Sequence, residues 1–162
     1  MSRLDSFIRR VTAQRDCLNR AAELVRDLPG PALELGLGNG RTFDHLRSLM
    51  PERDIFVFDK QVRAHPDCIP DPEFMILGDF RETLPVMLAR LPEPAVLAHC
   101  DIGTGDKAQS LALAEALTVS LPALLGPGAV IVSDQPFTVA KWEALELPGG
   151  VQPGRYYMYR QK

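Results

Sequence analysis

At 162 residues, with 46% hydrophobic and 24% charged side chains, the chain has the size and composition of one folded domain, which excludes a disordered or fibrous protein. Its net charge of -3 is unevenly spread: the arginines crowd into residues 1–27, residues 155–162 are purely basic, and the acidic span between them excludes a broad electrostatic footprint for nucleic acid. No apolar run nears the ~18 residues that cross a bilayer, the start MSRLDSFIRR lacks a secretory apolar core, and Cys17, Cys68 and Cys100 show no metal or disulfide spacing, so a reduced, cytoplasmic single domain over 1–162 is expected.

Taken in order, residues 4–28 place Leu4, Phe7, Ile8, Val11, Leu18, Ala21, Val25 and Leu28 at the spacing of an amphipathic helix, or two, forming an N-terminal segment over 1–28. The arginines between them read as the solvated face of that helix rather than as a phosphate-binding surface. Pro29-Gly30-Pro31 ends it. Short apolar runs follow at 32–36, 54–59, 74–78, 95–101 and 128–134, which predict buried strands. Helix-length segments at 42–50, 81–91 and 107–125 separate most of them, while 60–73 reads as an irregular connection. Alternation of this kind predicts an α/β fold with a doubly wound, mostly parallel sheet and helices on both faces. The tail is shortened: about eight residues lead from the fifth strand to WEALELP, fewer than the ~10–12 of a full crossover, so any helix there is truncated. PGGVQPG then predicts a wide turn into an antiparallel strand over 155–160, with KWEAL as a helix the alternative.

The sharpest feature is ALELGLGNGRT, residues 32–42, where a strand ends in Glu34-x-Gly36-x-Gly38-x-Gly40 and a helix follows. Glycines so close together let the backbone turn sharply and approach a ligand. The helix N-terminus beyond them offers N–H groups and positive dipole to a ligand carboxylate. A dinucleotide loop would carry its third glycine at position 41, which is Arg41. Asp59 closes the second strand, where a carboxylate can accept from both ribose hydroxyls, and Gly78-Asp79-Phe80 closes the third, with an acid for an adenine amine and a ring nearby. An acid after a strand also serves as a helix N-cap, which is the plainer reading of either one alone.

At these residues the sequence resembles the class I S-adenosylmethionine (SAM)-dependent methyltransferases, over about residues 30–135. Glu34-Leu35-Gly36-Leu37-Gly38-Asn39-Gly40 is similar to their motif I, and Asp59 and Asp79 to the acids after their second and third strands. The resemblance implies a seven-stranded sheet of order 3-2-1-4-5-7-6 with strand 7 antiparallel, and the methionine end of SAM over the glycine loop. It assigns the cofactor to Glu34, Gly36, Leu37, Gly38, Asn39, Gly40 and Thr42, to Asp59 and Lys60, to Gly78, Asp79 and Phe80, and to Asp101. Two rivals stand beside it. A nicotinamide-dependent oxidoreductase is opposed by Arg41, and a non-catalytic SAM-binding module is favoured by the short tail.

Methyl transfer is an in-line displacement at a strongly electrophilic sulfonium, so positioning dominates, at roughly 7–11 kcal/mol, and a base is needed only where the acceptor must lose a proton. Acceptor-side residues belong at the carboxyl ends of strands 4 and 5, which read His99-Cys100-Asp101 and Ser133-Asp134-Gln135. Asp101 and His99 are the catalytic candidates, with Asp101 preferred because His99 lies in a buried strand and reads as a core histidine. Asp101, Asp134 and Gln135 are also similar in placement to the metal ligands of catechol and caffeoyl-coenzyme A O-methyltransferases, which implies magnesium or calcium, although Gln replaces their Asn. No NPPY-like tetrad follows strand 4, which disfavours amide or nucleobase amine acceptors. Trp142, Tyr156 and Tyr157 read as acceptor-pocket, core or oligomer contacts. A small-molecule acceptor and a homodimer suit this reading; a membrane or nucleic-acid partner does not.

Overall fold

Ser2 opens the first helix through a reciprocal capping box, its hydroxyl accepting from the Asp5 N–H at 3.0 Å while the Asp5 carboxylate accepts from the Ser2 N–H at 3.1 Å. The helix, α1, runs unbroken over Arg3–Leu24. The computed structural model describes Met1–Lys162 throughout, and no helix in it is long and apolar enough to cross a membrane. After α1 the chain forms β1 (Ala32–Leu35), α2 (Arg41–Leu49), β2 (Ile55–Asp59), β3 (Met75–Leu77), α3 (Phe80–Met87), β4 (Ala95–Cys100), α4 (Lys107–Leu124), β5 (Leu125–Ser133), β6 (Trp142–Ala144) and β7 (Tyr157–Gln161). Two single-turn helices, Pro66–Cys68 and Pro72–Phe74, punctuate the connection from β2 to β3.

All seven strands join one sheet in the order β3-β2-β1-β4-β5-β7-β6. Only β7 runs against the others, pairing antiparallel with both β5 and β6. The central strands alternate between two faces, as the period of two requires. Leu33 and Leu35 of β1 and Ala129 and Ile131 of β5 pack with Leu84, Met87, Leu117 and Leu121 of α3 and α4. Ala32, Val57, Val130 and Val132 pack with Cys17, Leu18, Ala21, Phe43 and Leu46 of α1 and α2. Helices therefore cover both faces, two on each. The parallel register sets Glu34 of β1 directly beside His99 of β4, and both lie on the α1 side, in phase with Ala32 and Leu97.

The tail follows its main sequence reading, a wide turn into an antiparallel last strand, and not the helical alternative. KWEAL is not helical: Trp142–Ala144 form the edge strand β6, and the chain from β5 reaches it through an irregular segment without any helix. Tertiary contacts override the helical pattern there, since Trp142 packs edge-on against Phe137 with ring centroids 5.3 Å apart and its indole N–H donates to Gln161 Oε1 at 3.0 Å. The first helix also stops at Leu24 rather than near 28, and α4 passes straight into β5, which begins three residues earlier than its apolar run.

Two of the three thiols are sealed in this core. Cys17 and Cys100 are 0% exposed, burial pushes the Cys17 thiol up to about 12 and the Cys100 thiol well above its ordinary value, and Cys68 is half-buried. An aromatic disulfide reagent is therefore expected to modify one thiol per native chain, at Cys68, and all three after unfolding. Rapid native labelling of Cys17 or Cys100 would contradict this packing.

Candidate active site

At the carboxyl ends of β1 to β4 the sheet opens into a cleft of about 460 Å³. Gly36 and Gly38, Asp59 and Lys60, Gly78 to Phe80, and Asp101 all line it, so residues from four strand ends meet in one place. A larger hollow of about 870 Å³ lies by Arg26, His45 and Glu93 and includes none of these groups.

Asp59 organises the glycine loop from outside. Its Oδ2 accepts from the backbone N–H groups of Leu37 at 2.9 Å and Gly38 at 3.2 Å, and its Oδ1 from that of Lys60 at 2.6 Å. These charge-assisted bonds tie the end of β2 to the turn after β1. The other loop donors are also engaged: Gly36 N–H with Phe58 O, Gly40 N–H with Leu37 O, and Arg41 N–H with Asn39 Oδ1. Of the donors expected for a ligand carboxylate, those of Asn39 and of Thr42 and Phe43 in the first turn of α2 remain without a protein partner, and none of these three residues lines the cleft. Gly36 has φ +97°, and a Cβ there would stand 2.3 Å from the Asp101 carbonyl oxygen; Gly38 has φ +52° and nothing within 4 Å. Sterics at Gly36 are internal, whereas Gly38 leaves open space at the cleft.

Asp79 is both the N-cap of α3, accepting from the Arg81 N–H at 2.9 Å, and part of the cleft wall. That N–H, with lesser help from Arg81 and Lys60, holds its carboxyl below the ordinary range. Lys60 Nζ and an Arg81 nitrogen each lie 3.6 Å from it.

Glu34 lies beneath the loop instead of in the cleft. It is fully buried; Oε1 meets Thr42 Oγ1 at 3.3 Å and His99 Nδ1 at 2.6 Å, while Oε2 has no partner. Burial raises its pKa, with His99 and Thr42 opposing that rise. His99 Nε2 meets the Tyr156 hydroxyl at 2.7 Å, and Gln14 Nε2 reaches both that hydroxyl, at 2.9 Å, and Asp101 Oδ2, at 3.2 Å. Hydrogen-bond logic orients the whole chain. Asp101 accepts from the amide nitrogen of Gln14, which also donates to the Tyr156 oxygen. For a neutral His99 the Tyr156 O–H then donates to Nε2 and Nδ1–H donates to Glu34. Burial lowers the His99 pKa, and the adjacent Glu34, with Asp101 and Asp134, more than offsets that. Both His99 nitrogens are engaged inside the protein, so of the two catalytic candidates only Asp101 reaches the cleft.

Asp134 fastens a loop at the mouth of the sheet. The Asp134 oxygens accept from the backbone N–H groups of Ile102 at 3.1 Å and Gly103 at 2.9 Å, pinning the loop after β4 to the end of β5. Burial, then the nearby Asp101 charge, raises the Asp134 pKa. No group of three His, Cys, Asp or Glu side chains gathers here; Asp134 has Asp101 as a charged neighbour, and each Asp134 oxygen carries one of these backbone bonds.

Sequence reasoning missed Arg10, which lines the cleft from α1, and the anchoring role of Gln14. One clue was present: Gln14 is a polar residue on the buried stripe of an amphipathic helix, between Ala13 and Cys17. Tyr156, read as a pocket or core aromatic, is 1% exposed and is a link in the buried chain.

The two loop glycines separate by experiment. Gly36→Ala is expected to cost about 2 kcal/mol or more in urea denaturation, because its Cβ would meet backbone. Gly38→Ala should cost only ~1–2 kcal/mol yet place a methyl group in the ligand space. Equal destabilisation by the two would contradict the loop geometry.

Comparisons with known proteins follow this geometry. A family model described as S-adenosyl-L-methionine methyltransferase matches residues 1–161. An S-adenosyl-L-methionine methyl transferase from Silicibacter pomeroyi DSS-3 is 41% identical, with 100% of this chain and 99% of that one covered and a TM-score of 0.94. Human methyltransferase-like protein 13 in complex with SAH shares the fold at 13% identity, with 94% and 81% covered and a TM-score of 0.60. A putative caffeoyl-CoA O-methyltransferase from Staphylococcus aureus does so at 10% identity, with 90% and 82% covered and a TM-score of 0.58. A search of curated protein sequences finds no match. The glycine loop, the acids at successive strand ends and the sheet order agree with the whole-chain match, and the chain belongs to the S-adenosyl-L-methionine methyltransferase family.

Proposed function

We propose that the chain transfers the methyl group of SAM to a hydroxyl of a small-molecule acceptor, with Asp101 beside the transferred methyl. The observation that carries this reading is the convergence of the glycine loop with Asp59, Asp79 and Asp101 in one cleft. In it the ribose lies at Asp59, whose carboxylate oxygens keep lone pairs beyond those given to the loop. The adenine lies by Asp79 and Phe80, and the methionine end over Gly36 and Gly38. Bound SAM supplies the electrophilic methyl group.

Asp101 is supported as the acceptor-side group by its position at the end of β4 and by Gln14, which holds one of its oxygens. A carboxylate placed there can orient a hydroxyl and take its proton as the new bond forms. The engagement of Asp134 with backbone argues for a reaction that runs on these protein groups without a magnesium site of the O-methyltransferase kind. A small acceptor is supported by the whole-chain match, which leaves no inserted segment to recognise a macromolecule.

Three measurements test this. Asp59→Ala is expected to raise the dissociation constant for S-adenosylhomocysteine (SAH) tenfold or more, since charge-assisted bonds of about 1.5 kcal/mol or more are lost; unchanged affinity in calorimetry would show the ribose site to be misassigned. SAH affinity should be equal in EDTA and in excess magnesium, and a strong magnesium dependence would restore the metal reading. Radiolabelled methyl capture across hydroxylated small molecules should find an acceptor, and Asp101→Asn should slow that transfer about a hundredfold with SAH still bound. Transfer to amines alone, or at an undiminished rate in the variant, would overturn the assignment.

A further inference from the structure

The cleft wall carries three cations, Arg10, Lys60 and Arg81, and three acids, Asp59, Asp79 and Asp101. Lys60 and Arg81 are already committed, each 3.6 Å from the carboxylate of Asp79. Arg10 forms no ion pair with any carboxylate of the protein. Its guanidinium instead lies over the Phe7 ring, 5.5 Å from the centroid, a contact that orients the side chain without neutralising it.

The placement of Arg10 follows from its helix. Gln14 lies one turn further along α1 on the same face, and its amide is fixed to Asp101 and to Tyr156. Those bonds hold this stretch of α1 at the Asp101 end of the cleft, away from Asp79. Arg10 is thus the uncommitted cation of a cleft in which the methionine moiety of the cofactor lies over Gly36 and Gly38.

That end of SAM carries a carboxylate. Entering a cleft with three acids, it needs compensation: the N–H groups of Gly36, Leu37, Gly38, Gly40 and Arg41 have partners within the protein, and the unpaired ones, of Asn39, Thr42 and Phe43, belong to residues that do not line the cleft. Resting on the assignment of SAM to this cleft, we propose that Arg10 binds the cofactor carboxylate, so that α1 supplies part of the cofactor site. A guanidinium suits the task because its planar fork can meet both carboxylate oxygens.

Calorimetry with two ligands tests this. SAH carries the carboxylate; 5′-methylthioadenosine keeps the adenosine and the sulfur but lacks the amino-acid end. Arg10 is exposed, so Arg10→Ala removes no core packing. The variant is expected to bind SAH about tenfold or more weakly and methylthioadenosine as the wild type does, with Arg10→Lys in between. Unchanged SAH affinity would overturn the proposal. An equal loss for both ligands would overturn it too, because it would mark Arg10 as a support for the cleft as a whole. A wild-type chain that binds neither ligand would overturn the cofactor assignment itself, and the proposal with it.

Discussion

A carboxyl group cut off from water sets the constraint that the surrounding elements have to meet. Glu34 sits fully buried on an interior strand, where burial raises its pKa and its Oε1 alone finds hydrogen-bond partners. Thr42 at the start of α2 and His99 on β4 supply those bonds, Tyr156 ahead of β7 and Gln14 on α1 extend them, and Asp101 ends the chain at the cleft. The links are spread over β1, α2, α1, the tail and the end of β4. The register of β1 against β4, the point where α2 begins and the docking of α1 and the tail are therefore all conditions of one network, and a shift in any of them would leave a buried polar group unpaired.

The same economy governs the cleft. Asp59 is matched by backbone N–H groups of the loop it fastens, Asp79 by the start of its own helix with Lys60 and Arg81 nearby, and Asp101 by Gln14. The acids are held in place before any ligand arrives. Such a site suits a ligand bearing positive charge, as a sulfonium cofactor does, and disfavours a diphosphate. The polar groups that face the ligand are thus supported by bonds made inside the fold, which keeps the geometry fixed while the ligand changes.

Most of this was legible in the sequence where the information is local. Strands β1 to β5 lie within a few residues of their apolar runs because buried parallel strands are continuous stretches of Val, Ile, Leu and Phe bounded by breakers. The glycine loop, Asp59 and Asp79 were legible because each closes such a run. What was not legible depends on partners distant in sequence. Glu34 and His99 are 65 residues apart, and only the strand register brings them together. Strand β6 is three residues with one buried side chain, too short to show any period, and β7 specifies it. Asp134 closes the fifth strand as read, but its bonds to the backbone after β4 join segments 31 residues or more apart and leave no mark in the sequence. Arg10 lies among arginines that are mostly solvated, and nothing in its spacing distinguishes the one that α1 turns toward the cleft.

The central claim is that this cleft is built for an adenosyl amino acid and not for a dinucleotide. Calorimetric titration of the wild-type chain with SAH and, separately, with NAD tests it most directly. The account predicts saturable one-to-one binding of SAH and no heat from NAD at the same concentrations. Binding of NAD with none of SAH would contradict it.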